Sequence, residues 1–378
     1  MKWQTGKIEI ALASALALTI GASSATVDDA KAAQTSPAKA AASSAEAVKA
    51  DGSAFTIEMS KEQFQEFTRN RAALREPLDR HLRFYERQAD RPLVCVKHPD
   101  GREPLVALSL KFHGFGPASR VLGELRDAWR YFPEIVEIDA STCRFDAVPD
   151  DVIKEFAFVP HLRTLMLAGG NAAFEISEEA IKILARHAEL EKLSLGNCRI
   201  SAEGFAHLSD LKTLRSITVG GGVTPRCFIT LAKLPDFCEF VLVGGTPQDN
   251  QSFARAIDEE TRMAIVSLNG RLKRFAAREH TFPLVHGSIL RALGEVKSLE
   301  ILDLDGAMVC DVALEDVESL PGLVNLRHFD AGLVRYAEGV PAEVRKKADA
   351  IVQDLTRRVG ARRKAAEDDR LREAGLVP

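Results

Sequence analysis

The sequence predicts an α/β fold built as a repeat solenoid, and three observations predict it. A short phrase returns nine times, with apolar residues at its first, fourth and sixth positions, followed by a Cys, Asn or small residue. The phrases start at Leu105, Ile135, Leu162, Leu190, Leu214, Phe237, Leu272, Leu299 and Leu326, at spacings of 30, 27, 28, 24, 23, 35, 27 and 27 residues. Between them run helix-like stretches with apolar residues three or four apart, as in 177–190, 201–211 and 287–296. A unit of this length cannot bury its apolar face alone, so units stack and share a core. The stack leaves an extended concave surface of the kind used for binding.

The chain begins with a different pattern. Lys2 and Lys7 precede an apolar run from Ile10 to Ile20, and Ser23 and Ala25 suit cleavage after Ala25. That plan predicts a signal peptide over 1–25, with an apolar run too short to span a bilayer. Residues 26–54 are rich in Ala, Ser and Lys and nearly free of large apolar side chains. They cannot offset their ordering entropy by burial, which predicts a disordered linker.

Residues 55–104 read as an N-terminal cap. Phe55–Met59 suits a short strand, and Ser60 with Gln63 suits a capping box opening a helix through about Gln88. Phe64, Phe67, Leu74, Leu78, Leu82 and Phe84 would cover the open first repeat. The array follows over 105–340. In the cleanest phrase, LEKLSLGNCRI, Leu190, Leu193 and Leu195 point inward and Cys198 sits at the small turn position. Ser177 and Ser201 stand as N-caps of the following helices. Starting the seventh phrase at Leu272 buries Leu272, Phe275, Ala277, His280 and Phe282, whereas a start at Met263 would bury Arg271 and Lys273. The Leu272 register leaves a long preceding coil, with an insertion or helix expected around 250–268. Residues 341–378 read as a charged C-terminal helix whose Val344, Ile351, Leu355 and Val359 form a narrow apolar stripe.

The phrases LEKLSLGNCRI and LEILDLDGAMV resemble the leucine-rich repeat family over roughly 105–335. The stretch SAEGFAHLSDLKTLRSITV is similar to the helix-to-strand unit of exported bacterial repeats of the ribonuclease-inhibitor-like or cysteine-containing kind. The resemblance implies a right-handed solenoid with a parallel sheet on the concave face, helices on the convex face, and protein recognition. GGV at 221–223 and Ala331 depart from the repeat pattern.

A net charge of −4 gives no bulk attraction for a polyanion. The basic cluster Arg357, Arg358, Arg362, Arg363 and Lys364 is nearly balanced by Asp354, Glu367, Asp368 and Asp369, so no nucleic-acid partner is expected. None of the six cysteines forms a CxxC pair or a Cys/His grouping with ligand spacing, so no metal and no cofactor is expected. Cys143 and Cys198 read as structural thiols, while the pairing of Cys227 with Cys238 stays open. There is no GxSxG, HExxH or phosphate-loop motif, and the paired glycines at 169–170, 220–222 and 244–245 recur at turn positions. Cys198 with His207 is a poor nucleophile pair because Cys198 falls at a buried turn.

Positions three, five and seven of each phrase would face the concave surface. Its middle is small and nearly uncharged, and charge collects at the C-terminal end as Arg274, Arg278, Asp303, Asp305, His328 and Asp330. These six residues are the candidate binding patch. The plainer reading of them, a ladder of self-satisfied surface ion pairs, is the favoured one. The sequence thus predicts an exported, non-enzymatic, monomeric protein of the periplasm, cell surface or medium. It would have no membrane span after signal cleavage and would bind a protein partner on its concave sheet. A structural cell-envelope spacer, or an enzyme or metal-dependent module at the C-terminal patch, are the alternatives.

Overall fold

The computed structural model describes residues 55–373 apart from 80–81, 87–93, 113–130, 142–152, 155, 157–158, 168–173, 197, 221–222, 244–252, 279–282, 306 and 337. The expected signal peptide (1–25), linker (26–54), Cys143, the paired glycines at 169–170 and 244–245, His280 and Phe282 lie outside the described residues.

The chain opens with β1 (Phe55–Glu58), α1 (Lys61–Asp79), β2 (Leu82–Glu86), β3 (Val94–His98) and β4 (Gly101–Leu105). Ser60 makes the capping box: its N–H donates to Gln63 Oε1 at 2.8 Å, and the Gln63 N–H returns to its hydroxyl at 3.2 Å. The helix ends at Asp79, short of the Gln88 the sequence suggested, because Leu82–Glu86 is a strand. That strand runs antiparallel along β5 (Leu108–Phe112), pairing Leu82 with Phe112 and Glu86 with Leu108. It satisfies an edge that would otherwise present unpaired backbone groups.

Next come β6 (Ile135–Asp139), β7 (Thr164–Met166), β8 (Phe174–Ile176), α2 (Glu178–Leu184), β9 (Lys192–Ser194), β10 (Cys198–Ile200) and α3 (Ala202–Ala206), the last continuing into a 3-10 turn. Beyond them run β11 (Ser216–Val219), α4 (Cys227–Leu231), β12 (Glu239–Val243), α5 (Glu259–Ser267), β13 (Arg274–Arg278), β14 (Leu284–His286) and α6 (Gly287–Gly294). The chain closes with β15 (Ile301–Asp303), β16 (Met308–Val312), α7 (Leu314–Glu318), β17 (His328–Asp330), β18 (Leu333–Tyr336) and α8 (Ala342–Glu373).

The result is a mixed α/β fold with parallel sheets. Its principal sheet has ten strands in the order β17-β15-β13-β12-β11-β9-β7-β6-β5-β2, all parallel except the β2 edge. Short parallel strands build two smaller sheets, β10-β8 and β14-β16-β18, and β1-β3-β4 forms a third.

Register ties the sheet to the sequence phrase. The fourth-position residues Leu165, Leu193, Ile217, Phe240, Phe275, Leu302 and Phe329 align across seven consecutive strands. Six of these are 0% exposed and Phe329 is 8% exposed. Each such burial stabilises the fold by about 1.5–3 kcal/mol before entropy is counted. Phe240 stacks on Phe275 and meets Phe228 of α4 at a tilt, with ring centroids 5.5 and 4.7 Å away. Helices pack on the same core from the other side, as Ile181, Phe205, Leu231, Ile265 and Leu293 show. Leu272, Phe275 and Ala277 are fully buried, so the Leu272 register holds, and α5 occupies the long coil before it.

The first phrase needs correction. Leu105 pairs with Val94 in the small sheet, and the principal sheet begins at Leu108, with Ser109 opposite Glu137. The phrase therefore starts two residues later than Leu105, at Ala107.

An ion pair joins α1 to the body. Arg71 forks onto Glu134 with contacts of 3.0 and 2.5 Å, and its guanidinium lies over the Phe67 and Phe132 rings at 5.2 and 4.7 Å. The Glu134 side chain is only 1% exposed.

Candidate recognition face

Strand alternation sends position four inward and positions three and five to the opposite face of the principal sheet. Across that face the third-position row reads Glu137, Thr164, Lys192, Ser216, Glu239, Arg274, Ile301 and His328, each in register with its neighbour. The fifth-position row reads Asp139, Met166, Ser194, Thr218, Val241, Ala276, Asp303 and Asp330. Most side chains in the middle of the face are small or uncharged, as the sequence suggested, with Lys192 and Glu239 the exceptions.

Several charges on this face are paired. Arg274 donates to Glu239 Oε1 at 2.7 Å, toward β12 and away from the aspartates. Glu239 Oε2 also accepts the Ser216 hydroxyl at 3.0 Å. At the other end Ser109 donates to Glu137 at 2.8 Å, and Lys111 lies 3.4 Å from Asp139. Cross-strand pairs of this kind contribute roughly 0.2–1 kcal/mol each.

A pattern not anticipated from sequence appears at the fifth position. Asp139 Oδ1 accepts the Ser141 N–H at 2.9 Å, Asp303 Oδ1 accepts the Asp305 N–H at 3.1 Å, and Asp330 Oδ1 accepts the Gly332 N–H at 2.8 Å. An aspartate at the end of a strand thus turns the chain by bonding its own backbone two residues on. Burial pushes the Asp139 carboxyl up, but the Ser141 donors and Lys111 outweigh it and hold the group below the ordinary aspartate range.

The six candidate residues therefore divide. Asp303 is 1% exposed, so it is not a contact surface; its second oxygen lies 3.7 Å from His328 Nε2. Packing between β13 and β17 covers it, a consequence of three-dimensional neighbours that strand alternation does not reveal. His328, Asp330 and Arg274 are half-buried, and Asp305 is exposed. Arg278 occupies the end of β13 opposite Val243, and its side chain lies outside the described residues.

Cys198 and His207 are each engaged elsewhere. The Cys198 thiol contacts the Leu167 carbonyl at 3.6 Å, and burial pushes it far above the ordinary thiol range. His207 Nε2 meets Glu178 at 3.1 Å. Cys227 and Cys238 are free thiols, as are Cys95, Cys198 and Cys310. Gly196 and Gly332 take positive φ values of 44° and 60°, so turn geometry accounts for them. At Gly332 an added Cβ would also collide with the Leu304 carbonyl. Among the described residues no group of three His, Cys, Asp or Glu side chains is arranged to hold a metal ion. No helix among them is long and apolar enough to cross a membrane.

No family model matches the sequence, and no curated protein matches it. Among solved structures the chain is similar to the plant peptide hormone receptor RGFR1 in complex with RGF2, at 15% identity and a TM-score of 0.30. That similarity covers 56% of this chain and 38% of the receptor chain, so the chain spans well under half of that receptor's length.

Proposed function

We propose that this chain is an exported, non-enzymatic leucine-rich repeat protein that recognises another protein through the open face of its principal sheet. The array is read as a right-handed solenoid, with that face concave and the helices convex. One observation carries the reading: eight consecutive strands hold the third and fifth phrase positions in register. This produces one continuous face whose middle is mostly small and uncharged, Lys192 and Glu239 apart, and whose C-terminal end is charged. The buried Ser194 and Ser216 keep the middle of the face low, half-buried Thr218 and exposed Lys192 stand open to a partner, and the charged flank supplies register and discrimination. Exposed Asp305 and half-buried His328, Asp330 and Arg274 are the contact residues of that flank, with Asp303 positioning His328. The apolar run from Ile10 to Ile20, the Ser23/Ala25 pattern and the polar segment 26–54 support export.

A second reading is a structural spacer of the cell envelope. The mutual pairing of Arg274 with Glu239 and Lys111 with Asp139 favours it, because satisfied charges need no partner.

Affinity capture separates the two. Wild-type full chain is compared with Lys192→Glu/Asp305→Lys on the sheet face and with Glu203→Lys on the helix side. Recognition by the sheet predicts a bound protein lost only in the sheet-face variant. Equal recovery by all three, or no bound protein, contradicts it and leaves the spacer reading.

A further inference from the structure

The last helix outruns the body that it packs on. Ala348, Leu355 and Val359 of α8 are buried against the core, and Arg362 donates to the Val324 carbonyl at 2.7 Å. Past that point, residues 363–372 make no hydrogen bond or ion pair to any described residue outside α8. Ten residues of helix extend about 15 Å. A helix that is polar all round and covers nothing has little to hold it, unless it bridges to another body.

The sequence of this distal half is self-complementary on one face. Gly360, Lys364, Glu367 and Leu371 follow one another at steps of four, three and four residues. That heptad spacing puts them on one stripe, and the stripe points away from buried Leu355 and Val359. Gly360, Lys364 and Glu367 are exposed and Leu371 is half-buried. Three features of the stripe lack a purpose within one chain. A Cβ added at Gly360 would meet nothing within 4 Å, so no neighbour in this chain demands a glycine in the middle of a 32-residue helix. Gly weakens a helix relative to almost any other residue. Lys364 and Glu367 enter no ion pair among the described residues, although Arg357, Arg358 and Arg372 in the same helix do. Leu371 is the one large apolar side chain among residues 360–373, and it stays part-exposed.

A second copy of the same helix, laid antiparallel with the two-fold axis between Ala365 and Ala366, answers all three. Gly360 then faces the partner copy's Leu371, and Lys364 faces the partner copy's Glu367; the symmetry repeats both contacts. The glycine leaves the hollow that the leucine fills. A parallel pairing would set Lys364 against Lys364 and Glu367 against Glu367, so charge selects the antiparallel one.

We propose that the chain forms a homodimer through this distal stripe of α8, in place of the single copy expected from the sequence. The interface is isologous, as a two-fold contact requires. It is short and half ionic, which makes it a weak dimer, favoured at high protein concentration and low salt. It leaves the sheet face free, so the proposal is independent of what that face recognises.

The test is sedimentation velocity on the full chain over a concentration series, at about 50 mM and about 500 mM salt. The expected result is a monomer–dimer equilibrium weakened by salt. Lys364→Glu or Glu367→Lys alone should weaken it about tenfold or more, and the two together should restore it, because the swap rebuilds the same pairs in reverse. Gly360→Leu should weaken dimerisation while raising thermal stability, which separates loss of the hollow from loss of the helix. Circular dichroism confirms that every variant keeps its helix content. Wild type that stays monomeric throughout, single charge reversals without effect, or a double reversal that fails to restore the dimer would each overturn the proposal.

Discussion

Asp303 joins two neighbouring strands: its Oδ1 accepts the Asp305 N–H at 3.1 Å while its Oδ2 stands 3.7 Å from Nε2 of His328. The carboxylate is 1% exposed, so removing it leaves the part-buried Asp305 N–H without its acceptor and unseats the imidazole. Asp303→Ala should destabilise the fold by about 1–3 kcal/mol. Asp303→Asn, which keeps an acceptor for the Asp305 N–H, should cost clearly less. Urea unfolding of the two variants distinguishes them, and equal losses would refute the turn-bonding role.

Arg71 is the counter-charge of a buried carboxylate. Arg71→Ala leaves Glu134 without its guanidinium and should cost about 3–5 kcal/mol in denaturant unfolding. Arg71→Ala/Glu134→Ala should recover part of that loss, since no unpaired charge then remains. A single-variant loss below about 1 kcal/mol would assign the pair to the ordinary surface class.

His187 supplies a pH dependence. Its Nε2 lies 3.0 Å from the Phe156 carbonyl, and burial lowers its pKa from the usual 6.5, against the opposing pull of that carbonyl and Glu189. The native state then binds fewer protons than the unfolded chain below about pH 6.5, so stability falls as pH drops through that region. His187→Gln should flatten the melting temperature between pH 7 and pH 5 relative to wild type. Parallel curves for the two proteins would show that His187 does not carry the effect.

Thiol chemistry should follow burial. Cys198 and Cys227 are buried, and burial raises both thiols far above the ordinary range, whereas Cys238 is only half-buried and raised less. A thiolate reagent at pH 8 should modify Cys238 first among these three, as read by peptide mass spectrometry. Labelling of Cys198 at the Cys238 rate in folded protein would contradict its packing against Leu167.

Much of the strand ladder is legible in the sequence because one rule repeats. Leu193 and Leu302 lie in strands of near-identical pattern, and register across the sheet follows once each phrase is placed. The rule failed at Leu105, where β4 and β5 are separated only by Val106 and Ala107. Two alternating strands so close together look like one, and only the pairing of Leu105 with Val94 tells them apart. It failed again at Leu82–Glu86, whose apolar Leu82 and Phe84 suit a helix end or a strand equally. The strands β8 and β10 escaped because three residues, as in Cys198–Ile200, are too few to show a period. In the candidate face, residue identity was legible and exposure was not. The burial of Asp303 and the turning of Arg274 toward Glu239 depend on neighbours 27 to 35 residues away.

The most direct test of the account places a photo-crosslinking amino acid at Lys192, exposed on the sheet face, or at Glu203, exposed on helix α3. Sheet-face recognition predicts a protein adduct from position 192 and none from position 203. An adduct from 203 alone, or none from either with the partner bound, would contradict it.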